Sequence, residues 1–327
     1  MMRRRTFLQS LAALAAIPAS FPASVLAQAY PSRPVRIIVP VSPGSGSDVV
    51  ARYMSAVLTQ ALGSAFVVEN RLGASGIIGT DFVAKAAPDG YTLLCTYAAH
   101  YSNQWVEKTP YDAVRDFEPI ARLGMSALLL TTAANSQFRT VKDVIAAAKR
   151  KPGSVSFGSS GNGTTSHMAA ALMSSMAGIE MIHVPYKGPA QVAVDTASGQ
   201  VDVGFGGVAS SLALIKAGRL RVLAVTSLQR SSQLSGVVTM DEAGLKGYEL
   251  ISPIWVMAPH GTPPAIVSQL SRAMTAAAAT PAFKSYCIGQ GLEVDIADAA
   301  AVRASAPAEL ERWKKLVALT EAKSKTG

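Results

Sequence analysis

The stretch VRIIVPVSPGSGSD, from Val35 to Asp48, changes character midway. Val35 to Val39 is a mainly apolar run rich in β-branched residues, the composition of a buried strand. Pro43-Gly44-Ser45-Gly46-Ser47 interrupts it with turn residues. Val50, Met54, Val57, Leu58 and Ala61 then recur at helical spacing. Ser47 is the expected helix cap, Asp48 sits in the first turn, and Gly63 ends the helix. Strand, small-residue turn and helix form the repeating unit of an α/β sheet.

The same unit recurs along the chain. Strands are predicted over 65–69, 91–95, 155–157, 182–184, 201–203 and 221–225. Helices are predicted over 77–86, from Thr140 and Asp143 to about Lys151, from Ser166 to Gly178, and from Pro189 to Gly199. Thr239 and Glu242 spell a capping box, and two helices close the chain over 264–279 and 299–323. The extended stretches 128–132 and 252–257 read as connectors. They would place 30–130 and 253–327 in one lobe, with 131–252 inserted as the other.

Residues 1–29 have the pattern of an export signal. Arg3, Arg4 and Arg5 precede a short apolar run broken by Pro18 and Pro22, and Ala27-Gln28-Ala29 offers a small-x-small exit. Arg4-Arg5-Thr6-Phe7-Leu8 fits a twin-arginine signal. Export implies a periplasmic protein. Without those three arginines the formal charge falls from +9 to +6, and no basic run interleaved with aromatics points to nucleic acid. Cys95 and Cys287 make neither a disulfide framework nor a zinc motif, and no metal or cofactor is expected.

Four junctions of small residues carry the chemistry: Pro43 to Asp48, Gly73 to Gly76, Gly158 to Ser166, and Gly204 to Gly207. Each follows a predicted strand. A helix start leaves unpaired N–H groups and a positive dipole end, and small residues let an anion approach both. Ligands in α/β sheets gather at the carboxyl ends of strands. Catalytic patterns are weaker. No serine lies in G-x-S-x-G, and no phosphate loop is complete. Gly204 to Ala209 matches G-x-G-x-x-A, but no acid follows at about the 20-residue spacing a dinucleotide site needs. Ser160 or Ser166 could be paired with His167, but no third partner is evident.

These residues resemble the Bug family, the extracytoplasmic receptors of tripartite tricarboxylate transporters. The resemblance runs through Tyr30 to Pro40, Val83 to Leu94, Ser159 to Thr164 with His167, His183 to Gly188, Gly199 to Asp202, and Leu223 to Thr226. It implies a type II periplasmic-binding-protein fold, in which two α/β lobes close on a ligand. It implies a monomer that captures a small carboxylate for integral membrane transporter subunits and performs no chemistry. The implied ligand contacts are Val41, Ser42, Pro43, Gly44, Ser45 and Gly46, with Ala74, Ser75 and Gly76. Thr96, Tyr97 and Ala98 would line the floor. Ser159, Ser160, Gly161, Asn162, Gly163, Thr164, Thr165, Ser166 and Phe205 would come from the other lobe.

The chain departs from the family at Ser45 and Ser75, where glycine is usual, and at Gly206 or Gly207, where an acid or amide is common. An acid bulkier or less polar than a small amino acid, aromatic acids included, is therefore expected. Docking on a sensor kinase is the alternative role, and a serine hydrolase ranks below it.

Overall fold

Val35–Val39 forms strand β1, which lies parallel between β2 (Phe66–Asn70) and β3 (Thr92–Thr96). The structure, a computed structural model, describes residues 30–321. The export signal predicted over 1–29 and the predicted end of the last helix, at 323, lie outside them. Helices α1 (Gly46–Leu62), α2 (Ile77–Ala84) and α3 (Ala99–Val106) follow these three strands in turn. Helix α1 begins one residue before the expected cap. Ser45 has extended backbone angles, so its hydroxyl, not that of Ser47, accepts the Asp48 N–H at 3.3 Å. Val50, Met54 and Leu58 face the core as expected, whereas Ala61 is exposed.

The chain then enters β4 (Phe117–Ala133), a strand of 17 residues. Helix α4 (Val141–Arg150) carries a capping box made by Thr140 and Asp143. Next come β5 (Ser156–Ser159), α5 (Thr165–Ala177), β6 (Ile182–Pro185), α6 (Pro189–Ser198), β7 (Val203–Gly207), α7 (Val208–Lys216) and β8 (Leu220–Val225). Strands β5, β6 and β7 run parallel to one another. The chain returns through β9 (Ile251–Pro259) and α8 (Pro264–Ala278), then α9 (Pro281–Gly289), β10 (Leu292–Glu293), β11 (Ala297–Asp298) and α10 (Ala299–Glu321). No described helix is long and apolar enough to cross a membrane. Helices α3, α7 and α9 escaped the sequence reading. The first two lack a side-chain cap, and α9 is a short segment whose signals are Thr280 and Pro281.

Two groups of strands share β4. Over Phe117 to Ala127 it pairs with β9, which continues to β3, β1 and β2. Over Leu128 to Ala133 it pairs with β7 on one side and β8 on the other. The expected connectors at 128–132 and 252–257 are thus ladder strands, and pairing switches near Ala127 and Leu128. Short β10 and β11 also pair with β4, so the C-terminal segment joins the sheet of the N-terminal segment.

The main core is continuous from Ile38 and Leu94 through Trp255 to Met168 and Met173. Trp255 stacks edge-on against Tyr101 with ring centroids 5.0 Å apart. In α10, Val302, Ala306, Trp313 and Val317 form one buried stripe, the periodicity of a core-facing helix. That helix packs against both α3 and α5. Cys95 and Cys287 are buried free thiols. Cys95 donates to the Ser47 carbonyl at 3.3 Å, and burial pushes the Cys287 thiol up to about 12.

Rings also stack beside β5. Phe157 lies 4.8 Å from His183, and His183 lies 4.0 Å from His167, with planes nearly parallel. Desolvation, joined by the neighbouring His183, lowers His167 to about 3, and desolvation lowers His183 to about 4. His100 is buried, bonds the Ala113 carbonyl through Nε2 at 2.7 Å, and is lowered by desolvation to about 4.

Two outcomes follow from this packing. Trp313→Ala should destabilise the fold by about 3–5 kcal/mol, measured by urea denaturation; a loss below about 1 kcal/mol would show that α10 is not part of the cooperative core. The histidines bind protons more readily unfolded, where their pKa is about 6.5, than folded. Their contribution is complete above that pH and is lost as pH falls towards the folded values of about 4 and 3. Urea midpoints should therefore decline from about pH 6.5 to 4, less steeply in His183→Phe. A flat wild-type profile across that window would contradict the assignment.

Candidate functional site

The strands of the two parallel groups, β1, β2 and β3, and β5, β6 and β7, each end on a loop that leads towards a helix. Residues from five of these strand–helix junctions line one cavity of about 90 Å³. Val41, Gly44, Ser45, Gly46 and Ser47 come from the β1–α1 loop and the first turn of α1. Ser160, Thr164, Thr165 and Ser166 come from the β5–α5 loop and the start of α5. Pro189 opens α6, and Gly206 to Ser210 span the end of β7 and the start of α7. Tyr97 follows β3, while Ser126 and Leu128 of β4, Ser252 and Ile254 of β9, and Leu292 of β10 complete the wall.

The amino ends of α1, α5, α6 and α7 thus meet at one place. In the first three-residue steps of α1, α5 and α7, helix geometry leaves N–H groups of Gly46, Ser47, Thr165, Ser166, Ala209 and Ser210 without intrahelical acceptors. The dipoles of these helices add positive potential at the same end. None of the described residues lining the cavity has a charged side chain. The hydroxyl of Thr165 is buried and has no hydrogen-bond partner among the described residues.

Asp48 holds the first loop without entering the cavity. It is buried, and its carboxylate accepts from Gly44 N–H, Arg52 Nε and Asn70 Nδ2, each at 2.9 Å. Burial pushes its pKa up, but the hydrogen bonds from Arg52, Gly44 and Asn70 outweigh this and hold it below the usual carboxylate range. The β5–α5 loop is fixed differently. Ser166 Oγ accepts from Ser160 N–H at 2.8 Å, and Thr164 Oγ1 donates to the Gly161 carbonyl at 2.7 Å.

The remaining expected residues lie around the cavity rather than on its wall. Ser42 faces the start of α6, where its hydroxyl lies 2.9 Å from the position a Cβ on Gly188 would occupy, and Pro43 is exposed. Thr96 is buried at the end of β3, and the Ala98 N–H donates to Ser252 Oγ at 3.2 Å. Phe205 points into the main core. Ala74, Ser75 and Gly76 form a left-handed turn beside the β5–α5 loop. There Ser75 Oγ donates to the Asn162 carbonyl at 3.0 Å, and Ser102 Oγ donates to the Gly163 carbonyl at 2.8 Å. Sequence reasoning missed Ser126, Leu128, Pro189, Val208, Ala209, Ser210, Ser252, Ile254 and Leu292. Gly188-Pro189 was a readable signal, since proline opening a helix marks another exposed amino end.

The serine–histidine geometry is structural. Ser159 Oγ lies 2.6 Å from His183 Nε2 and accepts the Gly161 N–H at 3.2 Å, but Ser159 is completely buried. His167 Nδ1 accepts the Gly163 N–H at 3.2 Å. These groups brace the turn and present no nucleophile to the cavity.

Residues 50–321 match the model of the tripartite tricarboxylate transporter family receptor. BugT of Bordetella pertussis is 35% identical over 94% of this chain and 95% of its own length. Rpa4515 of R. palustris, solved with adipate, superposes with a TM-score of 0.85 at 34% identity, covering 89% of this chain and 98% of that one. The periplasmic binding protein BugD superposes at 0.82 with 32% identity, covering 89% and 99% of the two chains. MatC of Rhodopseudomonas palustris, with bound malate, superposes at 0.81 with 25% identity over 88% and 100%. The fold is that of periplasmic solute-binding proteins, and such receptors bind their ligands without transforming them. This chain belongs to the tripartite tricarboxylate transporter receptor family.

Proposed function

We propose that this protein captures a short aliphatic carboxylate in the periplasm and presents it to the membrane subunits of a tripartite transporter. The carrying observation is the convergence of four helix amino ends on a cavity whose described wall has no charged side chain. Backbone N–H groups and hydroxyls are suited to a carboxylate, and helix dipoles supply the favourable potential. Leu128, Val208, Ile254 and Leu292 suit a hydrocarbon body. Adipate and malate, bound by the relatives above, are suitable first probes.

In this reading the two sheets are lobes, 30–130 with 253–327 and 131–252, that close around the acid. The Ser75 to Asn162 bond links loops from opposite lobes and belongs to the closed form.

Calorimetry with succinate, adipate and malate, against succinamide, should give binding only to the acids. Equal binding of the diamide would sink the anion reading. Thr165→Val keeps the side-chain shape and removes the orphan hydroxyl. It should weaken acid binding about tenfold, the scale of one hydrogen bond to a charged group, without lowering the melting temperature of the ligand-free protein. An unchanged affinity would remove Thr165 from the site. Ser75→Ala should raise the ligand dissociation rate about fivefold in stopped-flow measurements, the equivalent of one neutral hydrogen bond of about 1 kcal/mol. Identical dissociation rates would mean that this bond does not guard the closed form.

A further inference from the structure

Beside the ligand cavity lies a second pocket of about 290 Å³. The two share Val208 and Leu292 as a common wall. The second pocket contains what the first lacks, charged residues: the cations Arg230 and Lys284 together with Glu293. Arg230 is paired with Glu242 at 2.8 Å, whereas Lys284 occupies an exposed position on α9.

The partition follows from strand alternation and one tight backbone approach. On β4, Ser126 and Leu128 line the ligand cavity while Ala127, between them, lines the second pocket. Strand β10 pairs here, with Leu292 opposite Ser126. Gly291 has φ +70°, and a Cβ at that position would lie 2.2 Å from the Val208 Cβ. The chain therefore runs directly against Val208 where only glycine fits. Val208 and Leu292 are 2% and 4% exposed, so the wall is closed. On its ligand side, Leu292 Cδ2 would lie 3.2 Å from a Cβ on Gly46, which places Leu292 across from the amino end of α1.

We propose that Leu292, braced by Val208, is the specificity residue that limits the length of acid the cavity accepts, by walling it off from the second pocket and its Lys284. This rests on the carboxylate-receptor reading above. An acid anchored at the helix ends can extend only until its chain meets the leucine. With the wall trimmed, a longer α,ω-dicarboxylate would pass through and bring its distal carboxylate towards Lys284.

The test is calorimetry of the wild-type protein, Leu292→Ala and Leu292→Val with succinate, adipate, suberate and sebacate, alongside thermal melts. The valine variant decides if the alanine variant fails to fold. The wild type should favour the shorter acids. Leu292→Ala should improve suberate relative to succinate by about tenfold or more, with a smaller shift in the same direction for valine. Adding Lys284→Gln to Leu292→Ala should remove the gain for suberate and leave succinate unchanged. If all four acids weaken in parallel, Leu292 is only a packing residue and the inference is overturned, while the receptor reading stands. If the wild type and variants bind none of these acids, both fall.

Discussion

One strand belongs to two sheets, and the site depends on that constraint. Up to Ala127, β4 is bonded to β9; from Leu128 it is bonded to β7 and β8. The returning chain is tied at the same place. Thr226 accepts the Leu128 N–H through its hydroxyl at 2.8 Å and donates its own N–H to the Leu128 carbonyl at 2.9 Å. The Leu250 N–H then bonds the Thr226 carbonyl at 2.9 Å, just before β9 begins. Both passages between the sheets therefore lie side by side, next to Ser126, Leu128 and Ser252 on the cavity wall. In the two-lobe reading proposed above, a rotation of one sheet against the other would be absorbed within these few residues and would reshape the cavity. Helix α10 packs on both α3 and α5, and so touches a helix from each group of strands.

That geometry explains how an anion can be attracted without a cation in the wall. An arginine in a small, mostly apolar cavity would carry a desolvation cost whenever the ligand was absent. Helix amino ends offer roughly half an elementary charge each and need no counter-ion. Their N–H groups do not titrate. The Asp48 carboxylate beside the loop is neutralised by Arg52 and by hydrogen bonds from Gly44 and Asn70. The stacked histidines brace the β5–α5 loop from behind and are kept neutral by burial.

The alternation of strands and helices was legible because it rests on local signals, apolar runs, caps and glycine stops. The same signals marked the β1–α1 and β5–α5 loops. They could not show which loops meet, and the Gly73 to Gly76 turn braces its neighbour while Gly188-Pro189 reaches the wall. Phe205 illustrates the period-two limit. It lies between glycines at the carboxyl end of a strand, but pairing with Leu130 turns it to the core and leaves Gly206 and Gly207 at the cavity. Leu292 was invisible for another reason. Its place depends on a two-residue strand pairing with a partner far away in sequence, and no local pattern encodes that.

Ser45 and Ser75, where the resemblance leads one to expect glycine, have different physical roles. Ser45 has ordinary extended angles and caps α1, so its hydroxyl organises the loop and its side chain is not strained. Ser75 stands at φ +52°, beside Ala74 at φ +46°, where two consecutive non-glycine residues each carry a cost of about 1 kcal/mol. Its bond to Asn162 returns a similar amount. The bond offsets the cost of Ser75 itself while the loops touch, and that offset is lost if they part. Tyr97 and Asn103 still hold the Ser75 carbonyl, at 3.3 and 3.1 Å, so the turn cannot relax freely. A glycine there would be content in either arrangement. The serine instead makes separation of the loops less favourable, and couples a position off the cavity wall to how firmly the cavity stays shut.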